Sequence, residues 1–304
     1  MRATTLGPRV PGVTSPVEPI VIESADDDRL VAYAGLRDRT ESDQFMIGES
    51  ATVVERMLTS RFIVRSLLVT PKGFEKVKEA VEAHPRQIPV YMVDDEVMQG
   101  VTGFNVHRGV LAAAGRRGWP TLMEVAGNAK RLVLLEGSND HENIGVIARS
   151  ARGLGFDGMI IDPTCADPYY RRSIRVSMGE ILHLPLTRAT NWHDSLEWLV
   201  KQGFELWALT PDADAESLFS MGMPEKVALV AGAEGPGLLP STRARTHYDV
   251  RIPMHGGVDS LNLGHALAIA MAAVSPSLEP TVEPETASAA APAPDIAAPS
   301  STDA

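Results

Sequence analysis

Cysteine is nearly absent from this sequence, which contains only Cys165. A single cysteine cannot form an internal disulfide bond, and it excludes every metal site built from several thiolates. Small and secreted proteins commonly rely on disulfides, so this composition favours a reducing compartment. We therefore expect a cytoplasmic protein without a structural disulfide or a cysteine-rich metal centre.

Long apolar runs are also missing, although 44% of the residues are hydrophobic. No stretch reaches the roughly 18 apolar residues that a membrane-spanning helix needs. Residues 1–22 lack the continuous apolar core of a secretory signal peptide. We expect the apolar residues to fill protein cores, and we expect no membrane partner.

Positive charge is scarce, because 28 lysines and arginines stand against 39 aspartates and glutamates, for a net charge of −11. Five of these acids lie in residues 276–304, a segment without lysine or arginine. The acidic balance argues weakly against a nucleic-acid partner, since phosphate binding needs basic side chains. It does not exclude one, because a local basic patch is sufficient.

Composition and periodicity divide the chain into segments. These are a flexible leader (1–19), an N-terminal domain (20–115), a linker (116–125), a second domain (126–275) and a flexible tail (276–304). In both domains short apolar runs alternate with helical patterns, which is typical of an α/β fold. In the second domain the alternation implies a mostly parallel sheet covered on both faces. The patterns also predict helices at 26–37 and at 214–221.

A polar loop at 103–109 precedes the last predicted strand of the N-terminal domain. It contains His107 and Arg108, followed by a flexible glycine. One interpretation is a tight turn in which His107 caps a neighbouring carbonyl group. The other is a loop that faces RNA, with Arg108 bound to a phosphate.

Several familiar motifs lack the context that their chemistry needs. Residues 153–158 match the GxGxxG dinucleotide fingerprint, but a helix precedes these glycines and a strand follows, the reverse of what pyrophosphate binding requires. The glycines at 232–237 are not followed by the Lys-Ser/Thr pair of a P-loop. The histidines show no metal-ligand spacing, and no serine has the context of a hydrolase nucleophile. We therefore expect no metal.

Three groups of residues remain as candidates for chemistry. Asn143 lies near a predicted helix start, and Arg149 follows between small apolar residues of a helix facing the sheet, where it needs an anionic partner. Glu234 lies in a glycine-rich turn after a strand, while Ser260 and Asn262 open the last helix. Each group also has a plain structural explanation, respectively an ion pair to a structural acid, a solvated turn and a helix cap.

The order of these groups resembles the SpoU/TrmH family of RNA ribose 2′-O-methyltransferases, in the SPOUT class. That family carries the motifs N-x-G-x-x-x-R-x-A, G-x-E-G-x-G and I-P-M…S-L-N in this order. They match Asn143–Ala151, Gly232–Gly237 and Ile252–Asn262. The similarity covers residues 131–274, and residues 20–115 are similar to the family's N-terminal RNA-binding domain. Within the family, the rRNA methyltransferases of the thiostrepton-resistance type are the nearest subgroup.

The resemblance implies a fold, a cofactor and an assembly. The fold is a SPOUT α/β domain with a mostly parallel sheet and a deep trefoil knot, a rare exception among folds, plus a smaller N-terminal α/β RNA-binding domain. The cofactor is S-adenosylmethionine, and the assembly is a homodimer in which an arginine of one subunit lies near the cofactor of the other. The implied cofactor-binding residues are Thr210, Gly232, Gly237, Ile252, Met254 and Leu261.

The resemblance also implies the reaction, which is methyl transfer to a ribose 2′-hydroxyl, with 23S ribosomal RNA as the first candidate substrate. Arg149 would orient the adjacent phosphate and stabilise developing charge, since its pKa is too high for a base. Asn143, Glu234, Ser260 and Asn262 would position the ribose or support Arg149. The alternatives are a tRNA 2′-O-methyltransferase and a catalytically silent RNA-binding paralogue. A nucleotide-dependent dehydrogenase is disfavoured by the reversed glycine fingerprint.

Overall fold

The structure is a computed structural model that describes residues 16–37 and 45–275. Most of the predicted leader (1–19) and the whole predicted tail (276–304) lie outside the described residues. The described strands form two separate sheets, one within residues 20–115 and one within residues 131–251. Helices alternate with strands in both, which confirms the predicted α/β class.

The first sheet is mixed and has the strand order β1-β4-β3-β5-β2. Its strands are β1 (Ile20–Val21), β2 (Phe45–Glu49), β3 (Ile63–Val69), β4 (Val90–Met92) and β5 (Val110–Gly115), and its helices are α1 (Ala51–Thr59), α2 (Pro71–Ala83) and α3 (Asp95–Thr102). β5 runs antiparallel to β2 and β3, while β4 runs parallel to β1 and β3. Helix α2 begins at Pro71, and the Thr70 side chain caps it by accepting a hydrogen bond from the Gly73 amide.

The second sheet has the order β10-β12-β9-β11-β6-β7-β8, and all its described strand pairs are parallel. Its strands are β6 (Arg131–Leu135), β7 (Gly158–Ile161), β8 (Leu186–Arg188), β9 (Glu205–Leu209), β10 (Glu216–Ser217), β11 (Val227–Ala231) and β12 (Tyr248–Arg251). Its helices are α4 (Leu122–Ala126), α5 (His141–Gly153), α6 (Arg171–Val176), α7 (Trp192–Lys201), α8 (Pro240–Arg243) and α9 (Leu263–Ala273). The central strands are buried along their whole length, as expected for a parallel sheet covered on both faces. No helix within the described ranges is long and apolar enough to cross a membrane.

The helix predicted at 214–221 is wrong. Residues 216–217 form the short strand β10, and a 3₁₀-helix follows at Leu218–Ser220. The backbone of β10 pairs with β12, and the Arg251 guanidinium donates a hydrogen bond to the Ala215 carbonyl at 3.0 Å. Pairing with β12 overrides the local helical propensity of these residues. The sequence of 214–221 alone does not indicate that such a partner strand exists.

Two other boundaries differ from the sequence pattern. The helix expected at 26–37 is a shorter 3₁₀-helix, Asp28–Tyr33, which ends where the buried Tyr33 hydroxyl donates to the Ser66 carbonyl at 2.8 Å. The segment interpreted as a linker, 116–125, contains the start of α4. A capping box between Thr121 and Glu124 begins that helix.

The two sheets are joined by an interface of aromatic rings and ion pairs. The rings of Phe62 and Tyr169 meet edge to face with centroids 5.1 Å apart. Arg56 of α1 contacts the segment after α6, with its guanidinium 3.0 Å from the Glu180 carboxylate and 2.6 Å from the Met178 carbonyl. The N-terminal domain is therefore held against the α6 side of the second sheet.

Arg131, the first residue of β6, is a buried arginine that binds carbonyl oxygens rather than a carboxylate. Its guanidinium donates to Val274 at the end of α9 and to Glu225 and Pro224 before β11, at 2.8 to 3.0 Å. The positive charge also lies favourably at the C-terminus of α9. This side chain fixes the end of the last helix to the base of the sheet.

We predict that Arg131→Met lowers the free energy of unfolding by about 3 kcal/mol, because several buried carbonyl groups lose a charged donor. Urea denaturation followed by circular dichroism measures the loss. The exposed neighbour variant Lys130→Met serves as control and should stay within about 0.5 kcal/mol of the wild type. Equal stability of the two variants would contradict the role given to Arg131.

Candidate functional site

Three neighbouring parallel strands, β9, β11 and β12, end at one edge of the second sheet, and the residues that follow them line a common cleft. Its volume is about 640 Å³, within the range of roughly 300–1,000 Å³ that is typical of small-molecule sites. The lining consists of Leu209, Thr210, Pro211, Ala231, Gly232, Ala233, Glu234, Gly235, Gly237, Val250, Ile252, Met254, Asp259, Ser260, Leu261, Asn262, Leu263 and Ala266. The carboxyl edge of parallel strands is the usual ligand-binding edge of an α/β sheet.

The charged side chains that line the cleft are all acidic. The lining includes two carboxylates, Glu234 and Asp259, and no lysine, arginine or histidine. The N-terminus of α9 also reaches the cleft, but the Glu234 carboxylate already accepts a hydrogen bond from the Leu263 amide there, at 3.2 Å. A pyrophosphate needs cations or free amide groups. The cleft therefore suits a neutral or cationic ligand and disfavours a dinucleotide.

The turn after β11 folds back on itself at Gly232. A Cβ atom at this position would lie 2.2 Å from the Gly237 carbonyl carbon, so a side chain cannot be accommodated without moving backbone. The Gly237 amide donates to the Ala233 carbonyl at 3.0 Å, and Gly235 and Gly237 have φ angles of 92° and 69°. The glycines thus allow a tight loop whose backbone forms one wall of the cleft.

The side-chain amide of Asn262 connects three parts of the site. Its Nδ2 donates to the Asn143 Oδ1 at 3.0 Å and to the Glu234 Oε1 at 2.8 Å. Its Oδ1 accepts from the amides of Gly264 and His265 and so caps α9. All donor and acceptor positions of this amide are used, which fixes the orientation of its side chain.

Helix α5 brings Asn143 to this cluster from another part of the chain. Asp140 caps the helix by accepting from the Glu142 amide at 2.8 Å, and Asn143 follows in the first turn, where it is buried. Gly145 lies against α6, because a Cβ atom there would approach the Ser173 carbonyl oxygen to 2.7 Å. The two fixed residues of the N-x-G motif therefore have different structural roles. Asn143 makes a polar contact with Asn262, and Gly145 allows α5 to pack closely against α6.

The six residues predicted to bind the cofactor all line the cleft, together with three of the predicted catalytic residues. The members are Thr210, Gly232, Gly237, Ile252, Met254 and Leu261 in the first set and Glu234, Ser260 and Asn262 in the second. Ser260 is exposed and does not cap α9, since Asn262 is the N-cap. The roles of these residues stay predictions, but their convergence on one cleft is observed.

Arg149 does not face the sheet, contrary to the sequence-based expectation. It is exposed on α5, and it makes no ion pair or hydrogen bond with any described residue. Six residues separate it from Asn143, which on an α-helix corresponds to about 9 Å along the axis and about 240° around it. The arginine therefore points away from the Asn143 cluster of its own chain and remains available for an external anion.

His107 and Arg108 lie outside the cleft, in an exposed turn before β5. Neither side chain has a hydrogen-bond partner among the residues that the structure describes, so capping by His107 is not observed. The loop nevertheless reaches the second domain, because the guanidinium carbon of Arg171 lies 4.6 Å from the centre of the Phe104 ring. It is thus connected to α6, which packs against α5.

Sequence reasoning missed Glu136, a buried acid directly after β6. Its carboxylate accepts a hydrogen bond from the Leu239 amide at 2.9 Å and another from the Thr242 hydroxyl. The available signal was an acid at the end of a wholly apolar strand, in the sequence LVLLEG. A charge at such a position needs partners, and these come from residues more than a hundred positions away.

The single cysteine, Cys165, is buried and does not line the cleft. Burial and the neighbouring Asp162 raise the pKa of the Cys165 thiol to about 12, so the thiol is protonated at neutral pH. Within residues 16–37 and 45–275, no cluster of three or more His, Cys, Asp or Glu side chains could hold a metal ion. The remaining polar groups are suited to orienting a substrate by hydrogen bonds.

Comparison with known sequences places these motifs in a family. A sequence profile of the SpoU rRNA methylase family matches residues 130–272. The chain is 41% identical over 254 residues to an uncharacterised tRNA/rRNA methyltransferase of Mycobacterium tuberculosis, covering 81% of this chain and 88% of the relative. It is 30% identical over 240 residues to a 23S rRNA (guanosine-2′-O-)-methyltransferase of Xanthomonas campestris, covering 76% of this chain and 96% of the relative.

Solved structures show the same fold. An AdoMet-bound rRNA methyltransferase of Sinorhizobium meliloti matches with a TM-score of 0.71 and 24% identity, covering 84% of this chain and 97% of that one. A SpoU methyltransferase of Streptomyces viridochromogenes, in complex with the cofactor AdoMet, gives a TM-score of 0.70 with 21% identity, covering 82% and 97%. Because it is 41% and 30% identical to the Mycobacterium and Xanthomonas relatives over most of its length, and matches the family profile over residues 130–272, the chain belongs to the SpoU rRNA methylase family.

Proposed function

We propose that this protein transfers a methyl group from S-adenosylmethionine to a ribose 2′-hydroxyl of 23S ribosomal RNA. The observation that carries the proposal is the cleft at the end of β9, β11 and β12, where the family motifs converge around two carboxylates and no cation. The Xanthomonas relative is a 23S rRNA (guanosine-2′-O-)-methyltransferase, which supports both the ribose 2′-hydroxyl as acceptor and 23S rRNA as substrate. A cytoplasmic location, where ribosomal RNA would be met, is part of the proposal.

The cleft fits S-adenosylmethionine in size and in charge. Glycine backbone forms one wall, and apolar side chains such as Leu209, Ile252 and Leu261 supply surfaces for an adenosine moiety. The Glu234 and Asp259 carboxylates match the positive charge of a sulfonium group. When bound, this cofactor supplies an activated methyl group.

The residues around the cleft can orient a ribose for attack. Glu234 uses Oε1 for Asn262 and the Leu263 amide, and its Oε2 has no partner among the described residues. That oxygen and the exposed Ser260 hydroxyl are available to the ribose hydroxyls. The buried Asn143, fixed through its Oδ1, keeps its own amide hydrogens available. Holding the nucleophile in line by such fixed groups accounts for much of the rate of transfer reactions.

The position of Arg149 supports a homodimer. The side chain points away from the Asn143 cluster of its own subunit, and several apolar residues around the cleft remain exposed, including Leu239, Val258 and Leu261. In the proposed dimer, the arginine of one subunit binds the phosphate next to the ribose held by the other subunit. The guanidinium orients that phosphate and stabilises charge that develops on the attacking oxygen. The trefoil knot stays a prediction.

We also propose that RNA extends from the cleft across α6 to the loop at 103–109. Arg172 of α6 lies 2.6 Å from the carboxylate of Glu142, which directly precedes the buried asparagine of the site. The adjacent Arg171 packs on Phe104 of the loop, and Arg108 follows a few residues later. Arg171 and Arg172 are already paired with Glu49 and Glu142. Arg108, which has no ion-pair partner among the described residues, therefore supplies the positive charge of this path that is free to bind an RNA phosphate.

A tRNA substrate is the second candidate, because the Mycobacterium relative is described as a tRNA/rRNA methyltransferase. The cleft and the mechanism would be the same for either RNA. A catalytically silent RNA-binding paralogue is less well supported, since the hydrogen bonds among Asn143, Glu234 and Asn262 leave the Glu234 Oε2 and the Asn143 amide hydrogens available to a substrate.

We expect Arg149 to act in methyl transfer and not in cofactor binding. The wild-type protein should bind S-adenosylmethionine in calorimetry, and Arg149→Ala should bind it within about twofold, because the side chain does not line the cleft. The same variant should lose on the order of 100-fold in kcat for methyl transfer to RNA, since it removes an oriented charge from the transition state. Arg152→Ala, on the same helix, is the control and should keep most of the activity. Full activity of Arg149→Ala would remove this arginine from the mechanism.

We expect Arg108 to contact an RNA phosphate through the N-terminal domain. Arg108→Ala should weaken RNA binding several-fold and reduce the slope of log affinity against log salt by roughly 0.7 to 0.9, the value for one phosphate contact. Cofactor affinity should not change. Arg86→Ala is the matched control, because Arg86 is also exposed but follows the far end of α2, roughly 20 Å along that helix from the loop. An equal loss in both variants, measured by filter binding, would show a general charge effect instead of a specific contact.

A further inference from the structure

We propose that Glu136 is a positioning residue that holds the glycine turn at 232–238 in the shape that binds the cofactor. The inference rests on the proposed function, because it names a residue that acts on the same cleft without lining it. Glu136 belongs to none of the family motifs in the sequence. Its contacts join both ends of the turn to the end of β6.

The two ends of the turn are fixed by one residue. The backbone amide of Glu136 donates to the Ala231 carbonyl at 2.9 Å, immediately before the turn. Its carboxylate accepts from the Leu239 amide at 2.9 Å, immediately after the turn. The distance between the ends of the turn is therefore set by the length of a single glutamate side chain.

A second set of hydrogen bonds fixes the carboxylate itself. The Thr242 hydroxyl donates to the Glu136 Oε1, and this hydroxyl oxygen accepts from the Trp192 Nε1 at 3.1 Å. All three side chains are buried, with Glu136 5% exposed. Burying a carboxylate is costly, and an apolar residue of similar volume would fill the same space without that cost. The hydrogen bonds explain the carboxylate as a device that fixes the geometry of the turn.

The glycine turn also sets the position of the polar cluster formed by Asn143, Glu234 and Asn262. Gly232, Gly235 and Gly237 form cleft wall by backbone alone, so their positions depend on where the turn begins and ends. Glu234, at the tip, must reach both Asn262 and the amide of Leu263. Loosening the anchor at Leu239 would let the wall move and would reduce the affinity of the cleft for its ligand.

The test compares Glu136→Gln and Thr242→Val with Trp192→Phe as the control. Glutamine keeps the shape of Glu136, but one of its two terminal atoms is an NH₂ group, so it cannot accept from both the Leu239 amide and the Thr242 hydroxyl. Valine keeps the shape of Thr242 and removes the hydroxyl that fixes the carboxylate. Trp192→Phe removes the outer hydrogen bond and leaves the contacts of Glu136 to the turn intact. Calorimetry with S-adenosylmethionine, steady-state kinetics with RNA and thermal melting are measured for all four proteins.

We expect the dissociation constant and the KM for S-adenosylmethionine to rise on the order of tenfold in Glu136→Gln and Thr242→Val, the effect of weakening one well-placed hydrogen bond. At saturating cofactor, kcat should stay close to that of the wild type. Trp192→Phe should melt at a lower temperature and bind the cofactor normally. Unchanged cofactor affinity in both turn variants, or an equal loss in Trp192→Phe, would overturn the inference by showing a merely structural role. Failure of the wild-type protein to bind S-adenosylmethionine would instead overturn the proposed function.

Discussion

The side-chain amide of Asn262 holds together three segments that are distant in the chain. It contacts Asn143 at the start of α5, Glu234 in the turn after β11 and the first amides of α9. Without this amide, the Glu234 carboxylate would keep only the Leu263 amide as a donor, and α9 would lose its cap. The ligand cleft depends on the same contacts, because its walls are the turn and the start of the helix.

Two residues that do not line the cleft, Arg131 and Glu136, hold its walls in place. Arg131 fixes the end of α9 to the base of the sheet, and Glu136 fixes the turn after β11 to the end of β6. Both are charged side chains in buried positions, and both bind backbone groups. Such contacts set the position of a segment more narrowly than apolar packing does, since each needs a particular distance and direction.

Local signals in the sequence predicted the α/β class and the glycine turn, and they gave a helix cap as one of two interpretations of the group Ser260–Asn262. Each depends on a short pattern, such as the glycines around Glu234 or an Asn before an apolar helix. The exposure of Arg149, the partners of Glu136 and the strand at Glu216–Ser217 were not predictable in this way. They depend on contacts between residues far apart in the chain. The spacing and composition of a local sequence do not indicate which distant residues will be the partners.

We expect the cleft to hold the methyl donor for transfer to a ribose 2′-hydroxyl. The direct measurement is incubation of the protein with unmethylated ribosomal RNA and S-adenosylmethionine labelled in its methyl group, followed by alkaline hydrolysis. A 2′-O-methyl group protects its own linkage from alkali, so the account predicts label in alkali-resistant dinucleotides derived from 23S RNA. Label released in mononucleotides would show methylation of a base, and that result would contradict the account.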